Sequence, residues 1–329
     1  MKLKSIFLDE RNILRSGWRF LVFFAAFSFL AIAFGGVAGL LLSAADIRSE
    51  KESSALFLLI NGIFMLIPAL LIGWLCGKLL ERLPFRALGA WFTKFWLKHL
   101  VLGAVIGAAT LGLAVLIASI FGGLRFTLNP DRDRASILFS LAISLAVFAV
   151  GAAWEEALFR GYILQTFSRS GLIWLGIMLT SLPFGIIHLT NPNAGKISTV
   201  NTVLAGIWFG VAYLKTRDLW FVWGMHLVWN WMQGAVFGIE VSGLTNIITA
   251  PLLKEIDTGP IWMTGEIYGI EGGIACTIAI VISTAFIYFL PVLKPSEEML
   301  ALTSPKFGVP ALAGSSTDEM PTKVGTPNE

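Results

Sequence analysis

The sequence predicts an all-α membrane protein, a polytopic bundle of about eight transmembrane helices, and three observations carry that expectation. Of the 329 residues, 56% are hydrophobic and 14% charged, roughly half the charge of an ordinary soluble domain. The charges are also crowded together: eight windows of 18 to 26 residues contain no Asp, Glu, Lys or Arg. Each window suffices to cross a bilayer core as a helix, which takes about 20 residues at 1.5 Å apiece. A soluble enzyme, a disulfide scaffold and a disordered chain are excluded by this composition.

The windows justify the elements in order. The first, 20–45, follows a basic segment, 1–19, expected to be cytoplasmic. Ser43, Ala44 and Ala45 resemble a cleavage site, but 26 apolar residues exceed the roughly 7–15 of a signal peptide, so this reads as a retained anchor. Windows 53–77 and 99–124 come next, the latter with Gly103 and Gly107 at a spacing that lets helices approach closely. Windows 135–154, 170–195, 197–214 and 219–239 follow, with Gly206 and Gly210 in the third of these and Trp220, Trp223, Trp229 and Trp231 crowding the fourth. The connection 240–271, with Pro251 and Pro260, is expected on the membrane surface, before the last window at 272–293. The transmembrane domain is thus 20–294. From Pro295 the chain turns rich in Pro, Ser, Thr, Gly and Glu, which reads as a disordered cytoplasmic tail, 295–329.

Eight spans place both termini on one side. That side carries 16 of the 24 Lys and Arg and the opposite loops seven, so the positive-inside rule puts the termini in the cytoplasm. A bacterial plasma membrane is the expected location. The net charge of +3 is then a topology signal and not a nucleic-acid one. Cys76 and Cys276 fall near opposite faces, which argues against a disulfide.

Polar side chains within a bilayer are costly and are kept where they face the bundle interior or water. Three segments interrupt the apolar helices with ionisable groups: Trp154-Glu155-Glu156-Ala157-Leu158-Phe159-Arg160-Gly161-Tyr162, Pro183 to His188, and His226 to Asn230. Glu156 and Arg160, four apart, share a helix face and can pair. Glu155 is offset from Glu156 by about 100° and points elsewhere. His226 and Asn230 also share a face. Counted along the helices from the turns near Arg169 and Arg217, Glu155, His188, His226 and Asn230 are expected to meet toward the cytoplasmic half. A carboxylate, two imidazoles and an amide make a plausible hydrolytic set. Each also has a plainer reading: Glu156–Arg160 as a buried packing pair, and either histidine alone as a satisfied core residue. His99, beside Lys98, reads as interfacial.

These residues resemble a known family. Glu155-Glu156-x-x-x-Arg160 followed by Gly161-Tyr162, then Phe184-x-x-x-His188, then His226-x-x-x-Asn230, are similar in order and approximate spacing to the three motifs of the CPBP family, the type II CAAX prenyl proteases and bacteriocin-processing enzymes also called Abi proteins. The resemblance covers about 135–237. It implies an intramembrane endopeptidase in which Glu155 activates water, His188 helps to hold it, His226 and Asn230 stabilise the oxyanion, and Glu156 and Arg160 support the site. The implied substrate is a membrane-associated or lipidated peptide or protein. The implied cofactor is either none or a divalent metal such as zinc, for which Glu155, His188 and His226 would be the ligands; no His-Glu-x-x-His helix occurs. A non-enzymatic membrane partner on the same fold, of the immunity or scaffold kind, is the alternative. A proton-coupled transporter is disfavoured, because the two halves show no matching pair of broken helices.

Overall fold

The computed structural model describes residues 4–9, 12–44, 55–245 and 247–304. Each charge-free window overlaps a helix among the described residues. The main ones are α1 (Ser16–Ala44), α2 (Ala55–Glu81), α3 (Trp96–Gly122), α4 (Arg134–Glu156), α5 (Ile173–Ile187), α6 (Lys196–Thr216), α7 (Leu219–Trp231) and α8 (Ile274–Phe289). Among the described residues, six helical stretches are long and apolar enough to cross a membrane: α1, α2, α3, α4 continued to Arg169, α5 continued to Thr190, and α6. The other two are shorter. α8 has 16 residues and α7 has 13, the latter extended by wide π turns over Met232–Val236. This is an integral membrane protein built as a helical bundle.

Local chemistry sets the helix ends. Asp133 accepts the Ser136 N–H at 3.0 Å and caps α4; Asp218 accepts that of Trp220 at 2.9 Å and caps α7. Gly123, with φ of 74°, ends α3 in the left-handed conformation that glycine adopts without strain.

The core lies between α3, α6, α7 and α8, where Leu111, Trp208, Tyr213, Phe221 and Met225 are fully buried. Gly103 and Gly107 pack α3 onto the backbone of α7: a Cβ at either would run into the carbonyl of Phe221 or of Met225. Gly206 meets Ser181 of α5 in the same way. The packing role read from these small residues is what the structure shows. α1 is peripheral, with Phe29 and Ile32 more than three-quarters exposed on an apolar flank that suits lipid.

Charges tie the bundle together at the end where α1 begins. Glu81 of α2 pairs with Arg19 of α1 and, at 2.8 Å, with Arg169; it also accepts from Thr166 at 2.9 Å. His99 lies in the same region and corrects the reading of it as interfacial: it is 2% exposed, with Nδ1 at 2.8 Å from Asp218 Oδ2. The sequence hides this pairing because the partners are 119 residues apart.

Two stretches outside the expected spans have structure. The start of the expected disordered tail forms a short helix, α9 (Glu297–Thr303), because Ser296 caps it, Met299 is buried and Glu298 pairs with Arg86 at 2.6 Å. Residues 305–329 lie outside the described residues. The connection 240–271 is folded onto the bundle. Its strand β2 (Leu253–Ile256) runs antiparallel to β1 (Arg125–Leu128), and Tyr268 and Ile270 are buried.

Candidate active site

The six residues singled out from the sequence come together around α4, α5 and α7. α4 does not stop at Glu156 but continues through π turns at Ala157–Leu164 and a last α turn at Gln165–Arg169. Wide turns of this kind are rare and occur often at functional sites. Here they begin directly after Glu155 and Glu156 and contain Arg160.

Arg160 is fully buried and donates to Glu156 Oε1 at 3.1 Å and to the Gly206 carbonyl of α6 at 3.1 Å. Its guanidinium lies 4.9 Å from the ring centroid of Phe184, 5.2 Å from that of Phe209 and 5.6 Å from that of Phe159. Faces of aromatic rings attract a cation where water is excluded, so three rings and one carboxylate hold this charge.

Glu156 does more than pair with Arg160. The same oxygen, Oε1, lies 2.9 Å from His226 Nδ1. A carboxylate only accepts, so Nδ1 carries the proton. The imidazole is further fixed by Phe209, whose ring stacks on it at 4.7 Å. His226 therefore turns its other nitrogen, Nε2, toward Glu155 Oε2 at 3.8 Å. Glu155 thus has a histidine neighbour that sequence offsets do not reveal. Its Oε2 is buried and accepts no hydrogen bond, and its side chain is 17% exposed against 1% for Glu156.

His188 stands just beyond the last turn of α5. Its Nδ1 donates to the Phe184 carbonyl at 2.7 Å, which leaves Nε2 as its open nitrogen. Glu155, His188, His226 and Asn230 all line one cavity of about 320 Å³. Glu156 and Arg160 stand behind its wall. The cavity extends to Asn191, Ser242 and Glu271, in the connections at the end of the bundle away from Ser16 and Glu81. The expectation of a site toward the half that holds the termini is corrected accordingly. α5 is short, so its closing residue, His188, already lies at that far end.

Glu155, His188 and His226 are the residues through which a metal ion would be held. Among the described residues no group of three His, Cys, Asp or Glu side chains is already placed to hold one. His226 Nδ1 and His188 Nδ1 are engaged by Glu156 and by a backbone carbonyl, which leaves Nε2 of each ring as the nitrogen that faces the cavity.

Sequence reasoning missed Glu271. It lines the cavity and accepts from Trp229 Nε1 at 3.1 Å, from Ser242 N at 2.6 Å and from Ser242 Oγ at 2.8 Å. Its position at the edge of a charge-free window made it look like a loop residue, and nothing in its spacing signals otherwise.

Comparison with known proteins agrees with the motifs. The family profile described as type II CAAX prenyl endopeptidase Rce1-like matches residues 137–232. The uncharacterized protein YyaK of Bacillus subtilis (strain 168) is 24% identical over 155 residues, which are 45% of this chain and 46% of YyaK. The chain thus spans about half the length of this relative. No solved structure matches. The segment that carries the polar cluster is therefore similar to the type II CAAX prenyl endopeptidase Rce1-like family over residues 137–232.

Proposed function

We propose that this protein is an intramembrane endopeptidase that hydrolyses a peptide bond of a membrane-associated or lipidated substrate, with Glu155 as general base. The observation that carries the reading is Glu155 Oε2, buried on a cavity wall without a hydrogen-bond donor, facing an imidazole that Glu156 and Arg160 lock in place. A carboxylate so placed takes a proton from water as the water oxygen attacks the scissile carbonyl carbon. His188, through Nε2, helps to orient that water. Negative charge then develops on the carbonyl oxygen. His226 in its doubly protonated form donates to it from Nε2, and Asn230, one turn further along α7, donates from its amide. Collapse of the tetrahedral intermediate breaks the C–N bond, and Glu155 returns its proton to the leaving amine.

Glu156 acts through His226 as a positioning residue, and Arg160 holds Glu156. No step is routed through a metal ion. The apolar side of the cavity, with Leu58, Met65, Val147 and Phe148, suits an apolar substrate segment. With the termini in the cytoplasm of a bacterial cell, the cavity reaches toward the outer half of the bilayer. The test is reconstitution in nanodiscs with transmembrane and lipidated peptides. Glu155→Ala should abolish cleavage while the protein stays inserted and folded, and His188→Ala and Asn230→Ala should lower kcat. A Glu155→Ala protein that still turns over removes the assignment. A folded wild type that binds partners without cleaving any peptide supports the non-enzymatic alternative.

A further inference from the structure

The charge of the cavity is one-sided. Its lining includes two carboxylates, Glu155 and Glu271, and no lysine or arginine. Arg160, the nearest cation in the site, is buried behind the wall and already held by Glu156 and Gly206. Glu271 is built into its place. Oε1 is fixed by the indole of Trp229, the residue that precedes Asn230 on α7, and Oε2 by the backbone and hydroxyl of Ser242. All three donors are neutral, and no basic side chain among the described residues pairs with Glu271. Asn191, which also lines the cavity, donates to the Ser242 carbonyl at 3.0 Å, so the loop that holds Glu271 is itself held.

Resting on the protease reading of the same cavity, we propose that Glu271 is a specificity residue that selects a substrate with a cationic group beside the scissile bond and disfavours one with a free C-terminal carboxylate there. The physical reason is pairing. A lysine or arginine side chain, or an amine, meets a rigid carboxylate that lacks a counterion. A terminal carboxylate beside Glu271 meets like charge, and no lysine or arginine lines the cavity to receive it. A charge-assisted hydrogen bond in a partly desolvated site changes affinity by about tenfold or more.

The experiment separates this from catalysis by measuring binding to the Glu155→Gln protein in nanodiscs of neutral lipid. Fluorescent peptides of one apolar sequence carry Lys, Arg, Ala or Glu at successive positions, each made as a C-terminal amide and as a free acid. We expect the best Lys or Arg peptide to bind at least about tenfold more tightly than its Glu counterpart, and amides more tightly than short free acids. Adding Glu271→Gln should bring the Lys-to-Glu ratio close to one. Equal affinities for the Lys and Glu peptides, tighter binding of the free acids, or a ratio unchanged by Glu271→Gln would each overturn the proposal. Should Glu271→Gln fail to fold, the Lys-to-Glu and amide-to-acid ratios of the parent protein still decide. A parallel cleavage assay on wild type tells the two failures apart. Charge-selective binding without cleavage sinks the protease reading, and cleavage without charge selection sinks this one.

Discussion

Arg160→Ala is the substitution for which the structure gives the clearest magnitude. The guanidinium is completely buried, and Glu156 beside it is 1% exposed. Removing one partner of a buried ion pair costs about 3–5 kcal/mol, because the Glu156 carboxylate then keeps only the His226 N–H as partner. Lost contacts with Phe159, Phe184 and Phe209 act in the same direction. The Gly206 carbonyl also loses its donor, which loosens α4 from α6. Unfolding in mixed micelles, followed by fluorescence of the 12 tryptophans, should therefore show a loss of several kcal/mol. Replacing both charges, as Glu156→Gln with Arg160→Met, removes the stranded carboxylate as well and should be more stable than Arg160→Ala alone. Wild-type stability in Arg160→Ala would refute this reasoning, as would a double variant no better than the single one.

Three further perturbations test other parts of the structure. Glu156→Gln should lower kcat about 10–100-fold and reshape the pH–rate profile, because His226 loses the acceptor that fixes its tautomer; an unaltered profile with altered stability would make Glu156 merely structural. Gly107→Val should push α7 away through the Met225 carbonyl and destabilise the fold by at least about 1–3 kcal/mol in the same unfolding assay, whereas Gly112→Ala, at a position with open space, should not. Glu255, on β2 outside the spans, has its carboxyl pushed up from 4.5 to about 8 by burial and then by Glu240 and Asp257. Its stabilising contribution is therefore full below about 4.5, declines as pH rises and is lost as pH passes about 8. Hydrogen exchange of the β1–β2 amides should accelerate over that window in wild type and lose the dependence in Glu255→Gln.

What the sequence disclosed and what it withheld follow a physical line. Helices in a bilayer are set by apolar length, so the charge-free windows locate every long helix, and the cost of burying charge marks Glu155, Glu156, Arg160, His188 and His226. Helical offset alone foretells the Glu156–Arg160 pair. Contacts between distant segments are invisible to either rule. The Glu156–His226 bond joins residues 70 apart, and the His99–Asp218 pair and the grip of Glu271 on Ser242 depend on how helix ends meet. The π turns after Glu156 look like ordinary helix in sequence, because apolar spacing does not distinguish the wide turn from the α turn. The helix at Glu297–Thr303 was masked by the polar, Pro-rich composition around it, although Ser296 and the two glutamates that follow form a helix-start signal.

The central claim is that Glu155 deprotonates the attacking water, and its most direct measurement is peptide cleavage followed by mass spectrometry. Wild type and Glu155→Gln are compared in the same nanodiscs, with equal folding shown by their unfolding transitions. The account predicts products of defined mass from wild type and a rate at least about a hundredfold lower from the variant. Cleavage by Glu155→Gln at a rate near that of wild type would contradict it.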